Sequence, residues 1–78
     1  MKWFHVWDRP EYQEWAHEAD FGYELVIIRR EPDRYMCVRA KLLFEERGMP
    51  EFEVITSEFV PSEEKARVVI DEWKSERG

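Results

Sequence analysis

Seventy-eight residues allow one domain, residues 1–78, and a chain of this length buries only about 60% of its unfolded surface, so its core is small. Hydrophobic residues at 44% beside 38% charged ones exclude disorder, and no stretch approaches the ~20 apolar residues of a membrane span. The net charge of −6 resides almost wholly in residues 45–64, where seven Glu face one Arg, the remainder carrying eleven acids and eleven bases.

Four Trp, five Phe and three Tyr supply the bulk of the core, since each ring can bury roughly 150–250 Å². Residues 2–7 alternate rings and aliphatics in the manner of a strand. Asp8 then predicts a helix over roughly 9–20, with Glu11 completing a capping box and Pro10 in the first turn. Tyr12, Trp15, Ala16 and Ala19 form its apolar stripe, and Gly22 closes it in a left-handed conformation.

Strands are expected at 23–30 and 35–45, joined by Glu31, Pro32, Asp33 and Arg34 in a type I turn. This loop pairs 30 with 35 and sets Glu24 opposite Lys41. It places Tyr23, Leu25, Ile27, Met36, Val38, Ala40, Leu42 and Phe44 on one face, taken as the core. Glu24, Val26, Ile28, Arg30, Tyr35, Cys37, Arg39 and Lys41 lie on the other. Residues 47–50 turn the chain into a strand over 51–60, where Phe52 and Val54 alternate out of phase with Ile55 and Phe59. A bulge near Ile55 or Thr56 reconciles them. Ser62 caps the closing helix, with Glu63 and Glu64 at its positive end and Lys74 and Arg77 at its negative end. Ala66, Val69, Ile70 and Trp73 form its buried stripe.

The expected fold class is thus α+β in the order β-α-β-β-β-α, an antiparallel sheet of three to four strands with both helices packed mainly on one face. From Asp8 onward this order resembles a double-stranded RNA-binding domain, and Ser62-Glu63-Glu64-Lys65-Ala66 is similar to the start of that family's last helix. Where that family clusters lysines for phosphates this chain has Glu63 and Glu64, so no RNA-binding residue is carried over.

His5, His17, Cys37 and the serines Ser57, Ser62 and Ser75 show no spacing of a nucleophile, metal site or phosphate loop. The chain is therefore expected not to be an enzyme and to carry no cofactor or metal. His17 is expected to face solvent, and Cys37 to pack on the face away from the core. One cysteine leaves no internal disulfide, which suits a reducing compartment. With no signal-peptide run near residue 1, a cytoplasmic location follows, in a host cytoplasm if the source is a phage.

Three functional expectations arise. In the first, the protein is a non-catalytic binding module, a small acidic inhibitor. Glu45, Glu46, Glu51, Glu53, Glu58, Glu63 and Glu64, with Trp3 and Trp7 as dry contacts, dock on a basic surface of a partner, such as a nucleic-acid-binding complex, by imitating phosphates. Size, acidity and the missing catalytic apparatus resemble the small phage-encoded proteins that block bacterial defence, anti-CRISPR proteins among them. Eight Arg against four Lys suits a GC-rich genome. The plain alternative is that the acidic face keeps an aromatic-rich domain soluble. The second expectation is a homodimer or accessory subunit assembling through an uncovered sheet face that holds Val26, Ile28, Tyr35 and Cys37. The third, ranked last and at odds with a pI near 4.9, is direct nucleic-acid binding by the hairpin 29–41 through Arg29, Arg30, Arg34, Arg39 and Lys41 beside Tyr35.

Overall fold

Leu25, Val26, Ile27 and Ile28 are apolar in succession, so a strand containing them must be covered on both faces and paired along both edges. The computed structural model, which describes residues 2–20, 22–44 and 50–75, meets that requirement. Its elements are β1 (Phe4–Arg9), β2 (Tyr12–Ala19), β3 (Gly22–Arg30), β4 (Tyr35–Phe44), β5 (Pro50–Val60) and α1 (Glu63–Ser75). The strands form one five-stranded sheet in the order β1-β2-β3-β4-β5, each pair antiparallel. β3 lies at its centre, and all four residues of its apolar run are buried.

The architecture is α+β, with five strands rather than three to four and one helix rather than two among the described residues. The segment expected to be the first helix is β2. Its stripe of Tyr12, Trp15, Ala16 and Ala19 fits a helix, and Glu, Gln and Ala favour one locally. A helix there would, however, leave one edge of β3 without backbone partners. Pairing from Tyr12↔Arg29 to Ala19↔Gly22 satisfies that edge, and tertiary pairing overrides local propensity. Pro10 therefore lies in the β1–β2 turn. Gly22 has φ 138°, a positive value that glycine tolerates best, but it opens β3 instead of ending a helix. With a strand where a double-stranded RNA-binding domain has its first helix, that resemblance does not extend to the fold.

The central hairpin has the expected register, with Arg30↔Tyr35 and Glu24↔Lys41. The expected bulge is also present: Arg39 pairs with Thr56 and Ala40 with Val54, leaving Ile55 as the extra residue. A second irregularity in β1 skips Val6, between His5↔Trp15 and Trp7↔Glu14.

The closing helix is as expected over its described length, Arg77 lying outside the described residues. Ser62 Oγ accepts the Lys65 amide hydrogen at 3.3 Å, and the Ser62 carbonyl accepts that of Ala66 at 3.0 Å. Ala66, Ile70 and Trp73 are buried. The face it covers is the reverse of that expected. α1 packs with Val26, Ile28, Cys37 and Val60, rimmed by Trp3, Trp15, Tyr35 and Val69. The face taken as the core, built on Leu25, Ile27, Val38 and Ala40, has no helix on it among the described residues. Cys37, expected away from the core, is fully buried and its thiol approaches the Ala66 carbonyl at 3.8 Å. A small residue on the helix above a small residue on the sheet permits this close approach.

Candidate contact surface

Directly paired residues of an antiparallel sheet share a face, so the registers fix what the open side presents. One row across the sheet is Phe4, Ala16, Leu25, Ala40 and Val54. The next is Trp7, Glu14, Ile27, Val38 and Ser57. Flanking rows add Tyr12, Met36 and Phe59 at one end and Tyr23, Leu42 and Phe52 at the other. The middle of this face is tightly packed, with Ala16, Leu25, Ile27, Val38 and Ala40 buried among their neighbours. Its borders are not. Phe4 is 47% exposed, Trp7 50%, Phe52 53%, Val54 53% and Phe59 49%, with Val6 at 41%.

Rings of this type expose roughly 150–250 Å² when free, so these six residues together offer roughly 600 Å² of surface, in two strips along the opposite edge strands β1 and β5. Between the β1 side chains and the sheet lies an open hollow of about 230 Å³, lined by Phe4, Val6, Glu14, Ala16, Tyr23, Leu25 and Leu42. Ala16 forms a shallow floor because its neighbours are larger, and Phe4 meets Tyr23 edge-on at 6.2 Å.

Charge on this face is confined to its ends and to β2. Arg9 and Arg29 flank Tyr12 in one terminal row, and Glu18 stands beside Tyr23 in the opposite one. Arg9 lies 5.8 Å from the Trp7 ring, and Arg34 lies 3.8 Å from that of Phe59. Tyr12 donates its hydroxyl to Glu14 at 2.7 Å. Burial, and then that carboxylate, push the phenol up to about 12.

The acidic residues are divided. Glu51, Glu53 and Glu58 pair with Leu43, Lys41 and Cys37 and so project from the helix-bearing side of β5, all three exposed. Glu63 and Glu64 occupy the first turn of α1, where Glu63 accepts from Arg67 at 3.2 Å. Glu45 and Glu46 lie outside the described residues. Trp3 and Trp7 are separated: Trp7 is on the open face, whereas Trp3 is half-buried beside the helix and donates its indole hydrogen to the Lys74 carbonyl at 3.3 Å. The bases of the hairpin do not form one patch. Arg29 is on the open face and Arg34 is bound to Glu31 at 2.8 Å, while Arg39 is buried on the helix side.

That burial belongs to a polar group invisible in the sequence. Arg39 donates through Nε and Nη2 to Glu24 Oε1 at 3.2 and 3.1 Å, with both residues buried. His17, expected in solvent, is also buried. Its Nδ1 lies 3.0 Å from the Glu18 carbonyl and its Nε2 3.8 Å from Glu24, and the Trp3 ring stands edge-on at 4.3 Å. His5, by contrast, is exposed on edge strand β1 and stacks on Trp15 at 4.6 Å. Beneath the helix, burial and then Glu58 raise the Cys37 thiol to about 11. Among the described residues, no three His, Cys, Asp or Glu side chains stand together in a metal-holding group, and no helix is long and apolar enough to cross a membrane.

No family model, curated protein or solved structure matches this chain.

Sequence reasoning sorted the two faces correctly but assigned the helix to the wrong one. A usable signal was present: Phe52, Val54 and Phe59 are apolar on β5 in phase with Leu42, Ala40 and Met36, giving one face more large rings than one short helix can cover.

Proposed function

We propose that the protein is a non-catalytic protein-binding module whose contact surface is the open face of the sheet. The observation that carries this reading is the exposed border of Phe4, Trp7, Phe52, Val54 and Phe59 around a packed apolar centre. Large aromatic side chains left in water at a rigid position lose little conformational entropy on contact and are enriched among residues that dominate binding energy. A five-stranded sheet with both faces apolar and one helix is incompletely covered, and a partner would complete it.

A second reading is favoured by the placement of Glu51, Glu53 and Glu58 on one side of an edge strand, close in sequence to Glu63 and Glu64. It is docking of an acidic inhibitor, of the phage anti-defence kind, on a basic partner by charge mimicry. The Glu63–Arg67 pair and the position of Glu53 opposite Lys41 reduce the net field of that cluster, so the apolar face ranks first.

Photo-crosslinking amino acids placed singly at Phe52, Glu58 and Val68 in cells expressing the protein separate the readings. Adducts concentrated at Phe52 are expected. Adducts confined to Glu58 would support charge mimicry instead, and equal yields from all three positions, including the exposed helix residue Val68, would overturn both.

A further inference from the structure

We infer that the occupant of the open face is a second copy of this chain, packed sheet to sheet about a two-fold axis that runs across the strands. This rests on the reading of the open face as the contact surface and specifies its partner.

Area is the first argument. The roughly 600 Å² of exposed border, together with the half-buried Tyr12, Tyr23, Met36 and Leu42, approaches the ~800 Å² per partner of a stable interface, which corresponds to about a tenth of a small protein's surface. A largely apolar face, with Glu14 as the charge inside its margin and hydrogen-bonded to Tyr12, is also close to the composition of a homodimer interface.

Symmetry is the second. The open face has Arg9 and Arg29 in its terminal row at one end and Glu18 at the other. A two-fold axis parallel to the strands would set like ends over like, arginine on arginine. An axis across the strands reverses the rows and lays the arginine end of each copy over the Glu18 end of its partner. The same reversal keeps β1 over β1 and carries Trp7 toward the partner's hollow beside Phe4, Val6 and Ala16. The face is therefore complementary to itself in one of the two arrangements.

The third argument concerns the competing route to a dimer. β5 is an eleven-residue edge strand, exposed along nearly all its length, and such edges readily pair with a second copy. Pairing β5 with itself would gather Glu51, Glu53 and Glu58 of both copies on one side of the joined sheet, and like charges close across a ladder destabilise it. The acidic side of β5 thus disfavours assembly through that edge.

Sedimentation equilibrium of the full chain should show a species of twice 9.6 kDa. Val54→Lys should weaken it about 30-fold or more, the effect of carrying an unpaired charge into the interface. Val54 is half exposed in the single chain, so its replacement should leave the circular dichroism spectrum unchanged, and Val68→Lys on the outer side of α1 should leave the mass unchanged. Glu18→Arg should weaken the dimer and Arg29→Glu added to the same chain should restore it, because a transverse axis lays those two ends of the face over each other. A dimer indifferent to Glu18→Arg but dissociated by Val54→Lys would overturn the axis. A dimer that persists in Val54→Lys would overturn both the copy-on-face arrangement and the choice of contact surface. A strict monomer at high concentration would overturn the second-copy inference alone if Phe52 still crosslinks to other proteins.

Discussion

Replacing Trp73 by Ala tests how the helix is held to the sheet. Trp73 is 9% exposed within the cluster of Val26, Ile28, Cys37, Val60, Ala66 and Ile70. A ring burying roughly 200 Å² at ~25 cal/mol per Å² gives about 5 kcal/mol as an upper figure. With partial collapse of the site, the expected loss is about 3–5 kcal/mol. A domain of this length is stabilised by about 4–12 kcal/mol in total, so the substitution removes a large part of it. Urea titration followed by far-ultraviolet circular dichroism would measure the loss. Alkylation of Cys37 supplies an independent reading, because that thiol lies beneath Ala66 and is reached only when α1 lifts. Labelling should accelerate in proportion to the lost stability. A change below about 1 kcal/mol, the size typical of a surface substitution, or an unchanged labelling rate, would refute this placement of the helix.

Other consequences can be checked on the same material. Cys37 and Tyr12 have folded pKa values raised to about 11 and about 12, from ordinary values of 9.0 and 10.0. Their contribution is complete below pH 9, declines as the unfolded thiol and then the unfolded phenol ionise, and is exhausted by about pH 12. Stability measured by urea titration should accordingly fall across this alkaline window, and loss of that fall in the Cys37→Ala, Tyr12→Phe double variant is the control. Glu24→Leu alone should cost about 3–5 kcal/mol by leaving Arg39 without its buried carboxylate, whereas Glu24→Leu with Arg39→Met should recover much of that. Additive single effects in the double-mutant cycle would contradict the geometry. Gly22→Ala should destabilise by about 1–2 kcal/mol because its positive φ disfavours a Cβ, and an unchanged melting temperature would show that the backbone relaxes there.

Much of the sheet was legible because β pairing leaves local marks. Pro32-Asp33 fixed the central hairpin, and with it the Glu24–Lys41 register; the phase change between Val54 and Phe59 located the bulge. Ser62 and the stripe from Ala66 to Trp73 fixed α1. β2 was illegible because its apolar positions satisfy the helical period and its residues favour helix; what decides it is the need of β3 for a second neighbour, a non-local demand. The same holds for His17, which is exposed on a helix and buried on a strand. Of the candidate site, the register identified which residues share each face. It could not say which face α1 would take, since β3 is apolar on both, and the acidic segment drew attention away from the rings of β5.

The indole of Trp3 reaches the Lys74 carbonyl across 71 residues of sequence, while every strand lies next to its neighbour in the chain. The ribbon can therefore zip from hairpin to hairpin with short loop closures, and its distant fastenings, this one together with Arg67 to Gln13 and Lys74 over Trp15, tie the helix to the first strands at the end of the process. Shortening the chain before β1 would be felt at the far turn of α1, so trimming one terminus loosens the other.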